Sequence, residues 1–94
     1  MDKIISSGDI VVFVSTGCPY CAQALSSLRE SGHHPVVVEA TREQRAELQS
    51  RTSSSSVPSV WVKGKYVGGT NDGPEPWMGI RKLIANGELS KMLA

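Results

Sequence analysis

The chain has 94 residues, 39% of them hydrophobic and 20% charged, and ten Lys and Arg against nine Asp and Glu leave a net charge of +1. That is enough to bury one modest core, read here as a single domain over 1–94, and too apolar for a disordered tail. The near-neutral balance lacks the basic excess that nucleic acid or an anionic membrane demands, and no apolar run approaches the roughly 20 residues that cross a bilayer, so neither partner is expected.

Met1 to Gly8 carries an early acid, Asp2, and no long apolar stretch, so no signal peptide is expected and the expected location is cytoplasmic. Ile10-Val11-Val12-Phe13-Val14 is a continuous apolar run between Gly8-Asp9 and Ser15-Thr16-Gly17, which predicts a strand buried on both faces. Pro19 suits the first position of a helix. Ala22, Leu25 and Leu28 then recur at three-residue steps, and Gly32 is a stop, so the helix is predicted over Pro19 to Ser31. His33-His34-Pro35 reads as a loop and Val36-Val37-Val38 as a second buried strand. Strand, helix and strand within about 30 residues form a βαβ unit with parallel strands and a right-handed crossover.

Thr41 to Arg51 reads as a polar helix with Thr41 as N-cap and Ala46 and Leu48 to bury. A serine-rich stretch and Val57-Pro58 precede a strand over Ser59 to Val62. A two-residue turn at Gly64-Lys65 leads to a hairpin partner at Tyr66-Val67, ended by Gly68-Gly69. The turn-rich segment Asp72 to Pro76 leads into a helix near Trp77 to Asn86 with Ile80, Leu83 and Ile84 on one face. Gly87 breaks it, and Glu88 to Leu93 forms a last short helix. The order β-α-β-α-β-β-α predicts an α/β fold of thioredoxin-like architecture: a four-stranded mixed sheet flanked by helices on both faces.

The two cysteines, Cys18 and Cys21, are separated by two residues. Such a pair serves redox chemistry, zinc or neither, and here it lies where a strand gives way to a helix inside a βαβ pattern, the context of the redox use. A zinc site needs two further ligands, and His33 and His34 sit at the far end of the helix; no metal is expected. At the helix N-terminus, unpaired N–H groups and the positive end of the dipole favour a thiolate at Cys18. Cys18 is therefore assigned as the attacking nucleophile and Cys21, inside the first turn, as the resolving thiol.

Cys18-Pro19-Tyr20-Cys21, with Val57-Pro58 and Gly68-Gly69 in this order, resembles the dithiol glutaredoxins over nearly the whole chain. The resemblance implies a glutathione-dependent thiol–disulfide oxidoreductase acting on glutathione mixed disulfides and protein disulfides. Glutathione, or a related thiol such as trypanothione, would be the electron donor, glutathionylated and disulfide-containing proteins the partners, and a monomer the working form. It implies that Pro58 is the family's cis-proline and that Val57 offers its backbone to the cysteinyl part of glutathione like an added strand. Gly69 would permit close approach, Thr70, Asn71 and Asp72 would hold the γ-glutamyl end, and Tyr20 would flank the ligand.

The chain departs from that pattern in places. Ser15 stands where many members carry a Lys that meets the glycine carboxylate of glutathione, with Arg42, Arg45 and Arg51 as candidate substitutes. Ser53 to Ser56 replaces a stretch that often includes Arg, and Thr70 stands where many members have a third Cys. Two other functions stay open: an iron–sulfur cluster-binding glutaredoxin, which Pro19 disfavours, and a redoxin reduced by thioredoxin reductase that serves ribonucleotide reductase, which Gly68-Gly69 with Asn71-Asp72 disfavours.

Overall fold

A run of five apolar residues has no polar face to give to water, and Ile10–Val14, strand β1, lies inside the sheet with its first four residues buried. A computed structural model describes residues 2–54, 56–70 and 78–94. Around β1 the chain forms helix α1 (Asp2–Ile5), α2 (Pro19–Glu30), strand β2 (Val36–Glu39), α3 (Arg42–Thr52), β3 (Ser59–Val62), β4 (Lys65–Gly68), α4 (Ile80–Ala85) and α5 (Glu88–Leu93). The sheet order is β2-β1-β3-β4. β2 runs parallel to β1 with Val36 opposite Val11, β3 runs antiparallel to β1 with Val62 opposite Ile10, and β4 closes the hairpin on β3. This is the predicted four-stranded mixed sheet.

Successive side chains of a strand point to opposite faces, and the sheet divides the core accordingly. Ile10 and Val12 pack with Ala24 and Leu28 of α2, Ile80 and Leu83 of α4, and Leu89 of α5. Val11 and Phe13 pack on the other face with Ile5 of α1, Leu48 of α3 and Trp61. Phe13, Trp61 and Tyr66 gather there, with the Trp61 and Tyr66 rings 5.4 Å apart at a tilt.

Several local expectations shift. The hairpin turn is Lys63-Gly64, one residue earlier than the pattern suggested. Both residues have positive φ, 49° and 81°, the pairing that two-residue hairpins of matching twist require. β2 is an outer strand and exposes alternate residues, Val37 among them, so its valines are not buried on both faces. The buried stripe of α2 is Cys21, Ala24 and Leu28, with Ala22 exposed and Leu25 half-buried. In α3 Leu48 is buried and Ala46 exposed. The α1 turn has no counterpart in the predicted elements; it is tied to α3 by Arg51, whose guanidinium lies 2.7 Å from Asp2 and 3.5 Å from Glu47. The hydrogen bond to Asp2 holds the Arg51 pKa above its ordinary value. Trp77 and the turn-rich lead from Asp72 lie outside the described residues; within them the helix begins at Ile80.

Thr41 caps α3 as predicted, and it does so reciprocally. Its hydroxyl accepts from the Gln44 N–H at 3.1 Å while Gln44 Oε1 accepts from the Thr41 N–H at 2.9 Å. Thr41→Ala removes one half of that box and is expected to cost about 1 kcal/mol in a urea titration. A change below a few tenths would mean that α3 is held by Leu48 and the Arg51 tie alone.

Candidate active site

β1 delivers the chain to Ser15-Thr16-Gly17, and Gly17, at φ 73°, turns it into α2. Cys18 is the N-cap of that helix, in extended conformation. Pro19 follows at the first helical position, where its missing N–H leaves no donor unsatisfied. The Cys18 Sγ accepts the N–H of Cys21 at 3.1 Å, the bond a Ser or Asp oxygen makes at an ordinary cap. A negative sulfur at this place meets that amide and the positive end of α2, and no acid lies in the first turn to oppose it.

Cys18 and Cys21 are paired with Cα atoms 5.2 Å apart, a separation that a disulfide spans. Cys21 is 4% exposed and Cys18 is half-buried. The more exposed cysteine is therefore the one at the helix head.

A second segment closes on this point from far along the chain. The Val57 carbonyl oxygen lies 3.8 Å from Cys18 Sγ across a separation of 39 residues. The Val57-Pro58 bond is cis, with Val57 half-buried and Pro58 buried. A third segment enters at the end of β4. Thr70, 3% exposed, donates its hydroxyl to the Tyr20 carbonyl oxygen at 2.7 Å. The carbonyls of Gly69 and Thr70 accept the N–H groups of Ile80 and Arg81 at 2.8 and 3.0 Å, so this corner is anchored to α4 as well. The Tyr20 side chain is 57% exposed beside the pair. Cys18, Cys21, Tyr20, Val57 and Thr70 are thus brought to one place, with Pro58 and Gly69 as their chain neighbours. Asn71 and Asp72 lie outside the described residues.

Of the basic residues considered as substitutes for a Lys at position 15, Arg51 is engaged by Asp2 and Glu47. Near Ser15, the Thr16 hydroxyl donates to Glu39 at 2.8 Å and joins the approach to the cysteines to the end of β2. Neither that bond nor the Thr70–Tyr20 bond was visible in the sequence. Each is a single side-chain contact across 23 or 50 residues, and no local pattern encodes it. His33 and His34 follow the C-terminal end of α2, the end away from Cys18.

Comparison with known proteins bears on what this arrangement does. The family model described as Glutaredoxin matches residues 10–67. Glutaredoxin-1 of Rhizophagus irregularis is 31% identical over 102 residues, covering 100% of this chain and 91% of the relative. Oxidized glutaredoxin 2 from Chlamydomonas reinhardtii has a similar structure, with a TM-score of 0.77 at 31% identity over 98% of this chain and 85% of that one. A buckwheat glutaredoxin–glutathione complex gives a TM-score of 0.83 at 25% identity, covering 98% and 82%.

Proposed function

The chain belongs to the glutaredoxin family and is a thiol–disulfide oxidoreductase; from that premise we propose that it draws electrons from glutathione to reduce glutathione mixed disulfides and protein disulfides. The observation that carries the reading is the place of Cys18 Sγ, at the head of α2 and 3.8 Å from the Val57 carbonyl. A sulfur bonded to Cys18 sits beside the Val57 backbone, and an extended cysteinyl residue attached to it can pair with that backbone as one more strand. Gly69 and Thr70, with Asn71 and Asp72 after them, would receive the γ-glutamyl end, and Tyr20 would cover the ligand. The likeness to a glutaredoxin in complex with glutathione supports the same reading.

The chemistry then runs in two exchanges. The Cys18 thiolate attacks the glutathione sulfur of a mixed disulfide; the new S–S bond forms as the old one breaks, and the departing protein thiolate takes up a proton. A second glutathione, as thiolate, attacks the glutathionyl sulfur, which frees Cys18 and releases oxidised glutathione. With a protein disulfide as substrate, Cys21 resolves the intermediate instead, giving the Cys18–Cys21 disulfide, and two glutathione molecules reopen it.

The test is turnover of a glutathionylated peptide by reduced glutathione, read as formation of oxidised glutathione. Saturable turnover is expected. If the protein reduces an ordinary disulfide with dithiothreitol but leaves the glutathionylated peptide untouched at millimolar glutathione, the glutathione reading is wrong and the broader activity stands.

A further inference from the structure

We propose that Thr70 is a positioning residue that activates Cys18 through the single peptide group joining Tyr20 to Cys21. The carbonyl that Thr70 grips and the N–H that meets the nucleophile belong to one peptide plane. Thr70 Oγ1 donates to Tyr20 O at 2.7 Å, and the N–H on the other side of the same C–N bond, that of Cys21, donates to Cys18 Sγ at 3.1 Å. A peptide group is rigid, so holding its oxygen fixes the direction of its hydrogen. A hydrogen bond accepted by the oxygen also polarises the group and makes its N–H a stronger donor. Both effects stabilise a thiolate at Cys18 more than a thiol.

The grip is built to hold. Thr70 is 3% exposed, so water does not compete for its hydroxyl. Its own carbonyl is fixed by Arg81 N–H at 3.0 Å, and the preceding Gly69 carbonyl by Ile80 N–H at 2.8 Å. The hydroxyl therefore reaches the redox helix from a corner secured to both β4 and α4. Among the described residues, the charged groups on neighbouring elements include Glu39, tied to Thr16 ahead of Cys18, Lys65 on β4, and Arg81 and Lys82 on α4. Replacing the Thr70 hydroxyl changes none of these charges, so a change in Cys18 reactivity reports the peptide group.

The proposal rests on Cys18 being the attacking thiol, and its test needs no glutathione. In a Cys21→Ser background, which keeps the backbone amide and leaves one thiol, iodoacetamide alkylation of Cys18 is followed against pH. Thr70→Val, near in size and without the hydroxyl, is expected to slow alkylation two- to threefold at pH values below the midpoint and to leave the alkaline plateau unchanged. That is about the size of effect expected from cooperative strengthening of one bond to a charged sulfur. Thr70→Ser, which keeps the hydroxyl, is expected to keep the parent profile. Identical profiles for valine and parent would overturn the proposal, as would a serine variant displaced as far as valine. If valine does not melt cooperatively, Thr70→Ala replaces it in the same comparison. A parent whose Cys18 reacts no faster than a free thiol would overturn the assignment of the nucleophile before any Thr70 variant is compared.

Discussion

Cys18→Ser is expected to remove turnover toward glutathionylated peptide and protein disulfide alike, by a factor on the order of a thousand or more, because the one other thiol of the chain, Cys21, is 4% exposed. Cys21→Ser is expected to divide the two activities. It should still reduce the glutathionylated peptide, since external glutathione attacks the glutathionyl sulfur without help from a second cysteine, and it should lose reduction of protein disulfides, which requires an internal resolving thiol. The expectation follows the difference in burial: Cys21 is 4% exposed, while Cys18, at the head of α2 with Val57 beside it, is half-buried. A Cys21→Ser protein inactive toward the glutathionylated peptide would mean that the one-cysteine route does not operate here. A Cys18→Ser protein that retained activity would place the nucleophile at Cys21.

The largest expected loss of stability comes from Leu28→Ala. Leu28 is fully buried and carries α2 onto the sheet face that Ile10 and Val12 share with Ile80, Leu83 and Leu89. Truncation removes its transfer energy and leaves a cavity, together about 2–5 kcal/mol. Against a total of roughly 5–15 kcal/mol for a domain of this kind, that is a large fraction. The melting temperature should fall by about ten degrees or more. Leu25→Ala, on the half-buried flank of the same helix, should cost clearly less. Equal losses at the two positions would mean that α2 seats on a different stripe. Because the same helix presents Cys18, the Leu28 variant should be assayed well below its melting range.

What was legible in the sequence is what local chemistry determines. The apolar run Ile10 to Val14 announced a covered strand, and Pro19 after Cys18 announced the helix that presents the pair. Thr41, ahead of a polar helical stretch, announced a cap, though not the reciprocal bond from Gln44 that completes it. The misplacements have equally local causes. The hairpin turn was read one residue late because glycine is the expected bearer of positive φ, whereas Lys63 adopts it beside Gly64. The stripe of α2 was read from Ala22, Leu25 and Leu28 because Cys21 was counted as chemistry, not as an apolar side chain; it occupies the core stripe with Ala24 and Leu28. The valines of β2 looked like a buried strand because composition does not reveal which strand lies at the edge. The contacts that assemble the site were beyond any local signal. That Val57 would approach Cys18 came from the likeness to glutaredoxins, and that Thr70 would hold the Tyr20 carbonyl came from neither.

The division of the core by the sheet also supplies an optical reporter. Trp61 is 6% exposed, with its indole N–H donating to Ser59 Oγ at 3.1 Å, and it lies on the face with Phe13 and Leu48, whereas α2 packs on the opposite face. The chain has two tryptophans, so a Trp77→Phe protein would carry Trp61 as its sole indole fluorophore. Its emission should stay constant when the cysteine pair is reduced and should shift to the red when the sheet comes apart. A single wavelength would then follow unfolding in the oxidised and reduced proteins alike, and the difference between their midpoints would give the coupling between dithiol state and fold stability.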